Sequence, residues 1–261
     1  MRLFDSHCHL DDASFDNDLE GVLERMANND VQCAMLAGVT LETARKSVSI
    51  AGKYENLFAA VGIHPHDAGE CSESVLQELI KLAENPKVKA WGETGLDFNR
   101  MFSPQPDQEK WLIRQMEIAN DLHLPLIFHE RDSQGRFIDI LKAHFKPGSK
   151  GVVHCFSGNL EELHAYLSMG LYIGITGILT IKGRGKHLRK LVGDIPDDRI
   201  LVETDAPYLT PAPQKNQTRR NEPAFVRSTF MKLAEIKNEH PETLADRLWR
   251  NTCELFNLEM N

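Results

Sequence analysis

A chain of 261 residues with 41% hydrophobic and 26% charged side chains has the make-up of an ordinary globular protein, which excludes disordered, collagen-like and membrane-embedded classes. Its 30 basic and 38 acidic residues leave a formal charge of -8, which disfavours broad, sequence-independent wrapping of nucleic acid but permits a phosphate-bearing substrate at a local cationic site such as bound metal ions create. The opening MRLFDSHCHL has neither a long apolar run nor a small-residue cleavage site, and no stretch is long enough to span a bilayer, so no signal peptide, no membrane association and a cytoplasmic location are expected.

In chain order, the first apolar β-rich run covers 3–7 (LFDSH) and leads into His7-Cys8-His9. Further runs cover 33–38 and 57–64. Residues 72–84 then show a helical face of Val75, Leu76, Leu79, Ile80 and Ala83 behind a candidate Ser72 N-cap. A strand at 88–93 precedes a second amphipathic stretch, 106–122, whose face holds Trp111, Met116, Ile118, Ala119 and Leu122. Strands follow at 124–129, 151–156, 171–177 and 199–205. The longest irregular stretch, 206–223, is expected to be an active-face loop, and two short helices are expected at about 223–237 and 241–256.

Eight near-continuous apolar strands alternating with helices indicate a parallel sheet covered on both faces, and their number matches an α/β fold of the (β/α)8 TIM barrel type. An open doubly wound sheet would more often place a glycine-rich turn after its first strand, where this chain has His-Cys-His. No repeat or linker is visible, so one domain over 1–261 is expected. The five cysteines, Cys8, Cys33, Cys71, Cys155 and Cys253, show no CxxC spacing and are expected to be reduced thiols, with Cys8 and Cys155 as small apolar side chains on the far faces of their strands.

In such a barrel functional groups gather at the C-terminal strand ends. His7 and His9 end the first strand, His64 the third, Glu93 the fourth, His129 the fifth, His154 the sixth and Asp205 the eighth. Strand alternation puts Asp5, His7 and His9 on one face, so both imidazoles can point into the mouth with Asp5 beneath them. Taken singly, His64 or His66 is more simply a hydrogen-bonded polar residue, and Glu93 or Asp205 a helix cap. Together, so much polarity at one end of a buried sheet needs compensation, and a dication supplies it.

Imidazole and carboxylate donors without thiolates suit Zn, Mn, Ni, Co or Mg at a binuclear site on the C-terminal face, with two divalent ions per chain and Glu93 as the natural bridge. Asp205 is the candidate to orient the attacking water and accept its proton, and His64 to contact substrate or protonate the leaving group. Glu203, one step deeper with the same parity, is either a support for the metal ligands or a plain buried carboxylate. Arg131, Arg219 and Arg220 are placed to receive phosphates. Lys182, Arg184 and Lys186 are more simply a solvated charge run.

The segments FDSHCHL, VGIHPHDA, GETGLDFNRMFS, PLIFHERDS, VVHCFSG, YIGITG, ETDAPYLTP, RRNEP and NTCELF, spread along the chain, resemble the TatD-type metal-dependent deoxyribonucleases within the amidohydrolase-like hydrolases. The resemblance implies one metal on His7, His9, Glu93 and Asp205 and another on Glu93, His129 and His154. It also implies Mg-dependent cleavage of DNA, chiefly as a 3'-5' exonuclease on single strands, with a link to DNA repair. Two alternatives remain at this stage. One is an amidohydrolase-type esterase or amidase such as an aminoacyl-tRNA deacylase, whose relatives often bridge metals with a carboxylated lysine where this chain has Glu93. The other is a non-catalytic, metal-dependent DNA-binding protein. DNA is the expected partner, and a monomer the expected state, with weak oligomerisation left open.

Overall fold

The computed structural model describes residues 1–259, so the last two positions of the expected 1–261 domain lie outside the described residues. Apolar runs rich in Val, Ile, Leu and Phe become strands, and each is followed by a helix with one apolar face. The order is β1 (Leu3–Cys8), α1 (Leu19–Asn28), β2 (Val31–Gly38), α2 (Leu41–Ala51), β3 (Leu57–Val61), α3 (Glu73–Ala83), β4 (Val88–Asp97) and α4 (Gln105–Asp121). It continues with β5 (Leu126–Arg131), α5 (Arg136–His144), β6 (Gly151–Val153), α6 (Leu160–Ser168), β7 (Tyr172–Ile175), α7 (Lys186–Leu191), β8 (Ile200–Val202), α8 (Val226–Lys237) and α9 (Pro241–Leu255). The strands form one eight-stranded sheet in the order β1 to β8. Beyond β8 the chain bonds back to β1: Cys8 bridges Ala206 in parallel, the His9 N–H donates to the Ala206 carbonyl at 2.7 Å, and the Asp205 N–H to that of His7 at 2.9 Å. This is the (β/α)8 barrel.

The chain divides into two compact units, each discontinuous in sequence. One comprises Met1–Leu36, Cys155–Ser157 and the chain from Tyr172 onward; the other comprises Ala37–His154 and Gly158–Leu171. In the first unit, Phe4 of β1 meets Trp249 and Phe256 with ring centroids 5.9 and 6.4 Å apart. The Asn251 amide on α9 donates to the Asp197 and Ile200 carbonyls, tying that helix to the entry of β8. In the second unit, the buried Gln115 of α4 accepts from the Ile63 N–H and the Trp91 indole, and donates to the Ile63 carbonyl and the Thr94 hydroxyl. It thereby satisfies polar groups around β3 and β4 that would otherwise be stranded in an apolar layer. The Phe137 ring meets those of Phe128 and Tyr166 edge-on, with centroids 5.4 and 5.9 Å away.

Helix starts follow their side chains. Ser72 accepts the Val75 N–H and caps α3 as expected, and Asn159 with Glu162 forms a capping box on α6. The strands differ from expectation at their C-terminal ends. β3, β6 and β8 stop before His64, His154 and Asp205, which therefore stand in the loops, whereas β4 continues past Glu93 to Asp97. The expected helix at 223–237 opens with a single 3-10 turn, Pro223–Phe225, and α9, with 15 residues, ends within one residue of the expected 241–256. Among the described residues no helix is long and apolar enough to cross a membrane.

Candidate metal centre

In the first unit, β1 lifts a ladder of polar residues. Asp5, fully buried, accepts the Thr204 N–H at 2.8 Å and its hydroxyl at 2.5 Å. Burial pushes its carboxyl up to about 8 against those bonds. Above it the Nε2 atoms of His7 and His9 lie 3.2 Å apart, and Asp205 Oδ1 lies 3.3 Å from His9 Nε2 and 3.7 Å from His7 Nε2. Asp205 has a left-handed backbone, φ 60°. The buried Asn221 braces its loop by donating to the Thr204 and Tyr208 carbonyls at 2.9 and 2.6 Å. Glu203, 1% exposed, accepts the Cys155 N–H at 2.6 Å and the Ser6 hydroxyl at 3.4 Å. Those two bonds satisfy the buried carboxylate and fix the backbone at Cys155.

In the second unit, the GETG stretch explains itself sterically. A Cβ at Gly92 would collide with the Ile127 carbonyl oxygen and one at Gly95 with that of His129. Glycine at both positions lets β4 approach β5 closely on either side of Glu93. As a result Glu93 Oε1 lies 2.8 Å from His129 Nδ1, 3.4 Å from His64 Nε2 and 3.7 Å from His154 Nε2. Two steps further on the same strand face, Asp97 Oδ2 lies 2.7 Å from His66 Nε2 and 3.3 Å from His129 Nε2. Its Oδ1 accepts the Asn99 and Arg100 N–H groups at 3.0 and 2.7 Å. Burial opposes ionisation of Asp97, but the imidazole and backbone donors outweigh it and hold the carboxyl well below the usual range. Burial likewise opposes charge on His129, and the two flanking carboxylates overcome it, raising the ring to about 9.

His64 behaves differently. Burial and the neighbouring His129 push it down to about 4, so the ring is neutral. Its Nδ1 accepts the His66 N–H at 3.0 Å. The single ring proton therefore sits on Nε2, where it can donate a hydrogen bond. Glu93, His64 and His129 offer atoms within 4.8 Å of one another and could hold a cation, and His154 Nε2 approaches the same Glu93 oxygen.

Each unit thus offers imidazoles converging on a carboxylate. Such nitrogen and oxygen donors fit a divalent cation of the zinc, manganese, nickel or magnesium type. Thiolates take no part, because burial pushes the Cys8 and Cys155 thiols up.

The expected phosphate contacts separate. Arg131 ends β5 half-buried, and Arg219 is exposed. Arg220, by contrast, is held by Asp18 at 2.6 and 2.8 Å and by the Ser14 carbonyl at 2.6 Å, over the Phe15 ring. Lys182, Arg184 and Lys186 are exposed, as a solvated run should be. Sequence reasoning missed Asp97 and the link it makes from His66 to His129. The parity of 93, 95 and 97 carried that signal, had β4 not been ended at Glu93. It also missed two exposed aromatics. Phe102, 68% exposed, lies edge-on to His66 at 4.8 Å, and Tyr208, 55% exposed, lies edge-on to His9 at 5.9 Å.

Comparison with known proteins matches this geometry to a family. The TatD related DNase family model matches residues 4–257. A curated relative from Escherichia fergusonii, named 3'-5' ssDNA/RNA exonuclease TatD, is 35% identical over 98% of this chain and 99% of its own. A Rahnella protein of the same name is 38% identical over 98% of each chain. The crystal structure of a TatD homologue from Escherichia coli K12 superposes with a TM-score of 0.90 at 32% identity, covering 99% of both chains. The chain belongs to the TatD related DNase family.

Proposed function

We propose that this protein is a metal-dependent deoxyribonuclease that removes nucleotides from single-stranded DNA in the 3'-5' direction, with the whole chain serving as one catalytic domain. The observation that carries the proposal is the ring of His64, His129 and His154 around the buried Glu93 carboxylate, accompanied by the His7, His9 and Asp205 set. The names of the full-length relatives support the substrate and polarity. We assign His7, His9 and Asp205 to one divalent ion and Glu93, His129 and His154 to a second. Bound there, the ions would neutralise phosphoryl oxygens and acidify the attacking water.

The chain's own residues supply the rest. Asp205, partly exposed and held in a left-handed turn, orients the water and accepts its proton. The neutral His64 presents Nε2–H as a donor to a phosphoryl or leaving oxygen. Arg131 and Arg219 receive flanking phosphates, and Arg220 braces the loop that carries Arg219. The exposed rings of Phe102 and Tyr208 suit unpaired bases, which splay out and stack where paired bases cannot.

The test reconstitutes chelator-stripped protein with Mg, Mn, Zn or Ni and offers single- and double-stranded DNA, RNA, acyl-tRNA and lactones. Metal-dependent release of mononucleotides from the 3' end of single-stranded DNA is the expected result. Ester or lactone turnover with every nucleic acid intact would overturn it.

A further inference from the structure

Asp97 faces both nitrogen-bearing edges of a small network without being a member of either ligating set. Its Oδ1 already accepts two backbone N–H groups, from Asn99 and Arg100. Its Oδ2 faces two imidazole nitrogens, His66 Nε2 at 2.7 Å and His129 Nε2 at 3.3 Å. A carboxylate oxygen can only accept, so both Nε2 atoms carry hydrogen. Nδ1 of His129, 2.8 Å from Glu93 Oε1, faces a carboxylate oxygen too; with Nε2–H held by Asp97, Nδ1 is the nitrogen that gives up its proton and offers a lone pair when a cation binds. The carboxylate itself cannot drift: Gln108 brackets the Asp97 backbone by donating to its carbonyl at 3.2 Å and accepting its N–H at 2.8 Å. The opposite side of the network is anchored as well, because the Ser103 hydroxyl donates to the His66 carbonyl at 2.7 Å and accepts the Gly69 N–H at 2.8 Å.

We propose that Asp97 is a positioning residue that locks His129 in its Nε2–H tautomer and aims Nδ1 at the divalent ion shared with Glu93, with His66 holding the second lone pair of the same oxygen. The inference rests on the metal assignment above but not on what substrate is cleaved. A carboxylate behind a ligating imidazole fixes ring orientation and raises its basicity, and losing one typically weakens metal binding 10–100-fold.

The test strips the full chain of metal and reloads it with zinc, so that a cation replaces the proton on the His129 nitrogen it binds. Long-range 1H–15N spectra of the histidine rings, with the His129 signals assigned by their loss in His129→Gln, read the tautomer directly. Calorimetric titration with Mn or Zn reads affinity, and neither measurement depends on cleavage of any substrate. With zinc bound, the expected result is an Nε2–H ring ligated through Nδ1 in the wild type, mixed tautomers in Asp97→Asn, and a metal Kd raised about 10–100-fold with the melting temperature within a few degrees. If Asp97→Asn does not fold, Asp97→Glu, which retains the carboxylate, is measured in its place and should keep the Nε2–H tautomer. Wild-type metal affinity in a folded Asp97→Asn, or an Nδ1–H ring at His129 in the zinc-loaded wild type, would overturn the proposal. DNA cleavage that fails on its own overturns only the nuclease assignment.

Discussion

Arg25 of α1 grips Glu222, 197 positions later, through Nε contacts of 3.0 Å to both carboxylate oxygens and a 2.7 Å contact from the terminal nitrogen. Glu222 is 8% exposed and Arg25 45%, so the pair sits at the edge of the interior, where a bidentate geometry contributes more than a surface pair does. Together with Arg220 on Asp18 and Asn221 on the Asp205 loop, it makes most of the RRNEP stretch a fastening for the chain's largest loop. Glu222→Gln should therefore lower stability by about 1–3 kcal/mol, because a buried acceptor loses its charge-assisted partners. Urea denaturation checks this, and a change below 0.3 kcal/mol, the order of a neutral surface substitution, would refute the fastening role.

Asp205→Asn and His154→Ala should each reduce metal-dependent DNA cleavage by at least about 100-fold while keeping the wild-type circular dichroism spectrum. Stripping the metal should remove activity from the wild type and lower its melting temperature, since a ligand bound only by the folded state stabilises it by mass action. The same thermal shift on metal addition in His154→Ala as in the wild type would argue against His154 as a ligand.

Phe102→Ala and Tyr208→Ala should weaken binding of a single-stranded oligonucleotide roughly 5- to 100-fold each, in line with about 1–3 kcal/mol per stacked base. Phe102→Trp, which keeps a π-face, should bind within a few-fold of wild type. Fluorescence anisotropy against base-containing and abasic oligonucleotides separates stacking from phosphate contacts. An equal loss on both would point away from the rings.

Asp197 carries the acid dependence of the α8–α9 region. Lys237 and Arg247 each contact it at 2.8 Å, and the hydrogen bond from Lys237, opposed by partial burial, holds its carboxyl below its ordinary value. A depressed folded-state pKa stabilises the fold fully above the unfolded value of about 3.9 and is lost as pH falls through the folded one. Asp197→Asn should thus melt roughly 1–4 °C lower at pH 7 and pH 5, with the gap closing below pH 4. A gap that is constant from pH 7 to pH 3 would assign the effect to packing instead.

Much of this was legible because two periodicities dominate the chain. Apolar runs of near-continuous burial gave the eight strands in order, Ser72 announced α3, and the parity of Asp5, His7 and His9 put three polar groups on one side of β1. What stayed hidden is set by backbone geometry that composition does not encode. Cys155 and Asp205 adopt left-handed φ values of 48° and 60° just beyond the ends of β6 and β8, so His154 and Asp205 stand outside the sheet. The extension of β4 depends on Gly92 and Gly95 meeting the backbone of β5, a contact between segments that no local pattern announces. The fates of Arg219 and Arg220 were equally invisible, because an arginine next to another looks the same whether it faces solvent or an aspartate.

Those two neighbouring arginines have a consequence for how this loop tolerates change. In a saturation library of the segment, substitutions at Arg220 should reduce the amount of protein that accumulates, because Asp18 and the Phe15 ring lose their cover. Substitutions at Arg219 should leave abundance untouched and be depleted only under selection for DNA turnover. One dipeptide would thus divide cleanly between two selections, with position 220 answering to folding and position 219 to substrate.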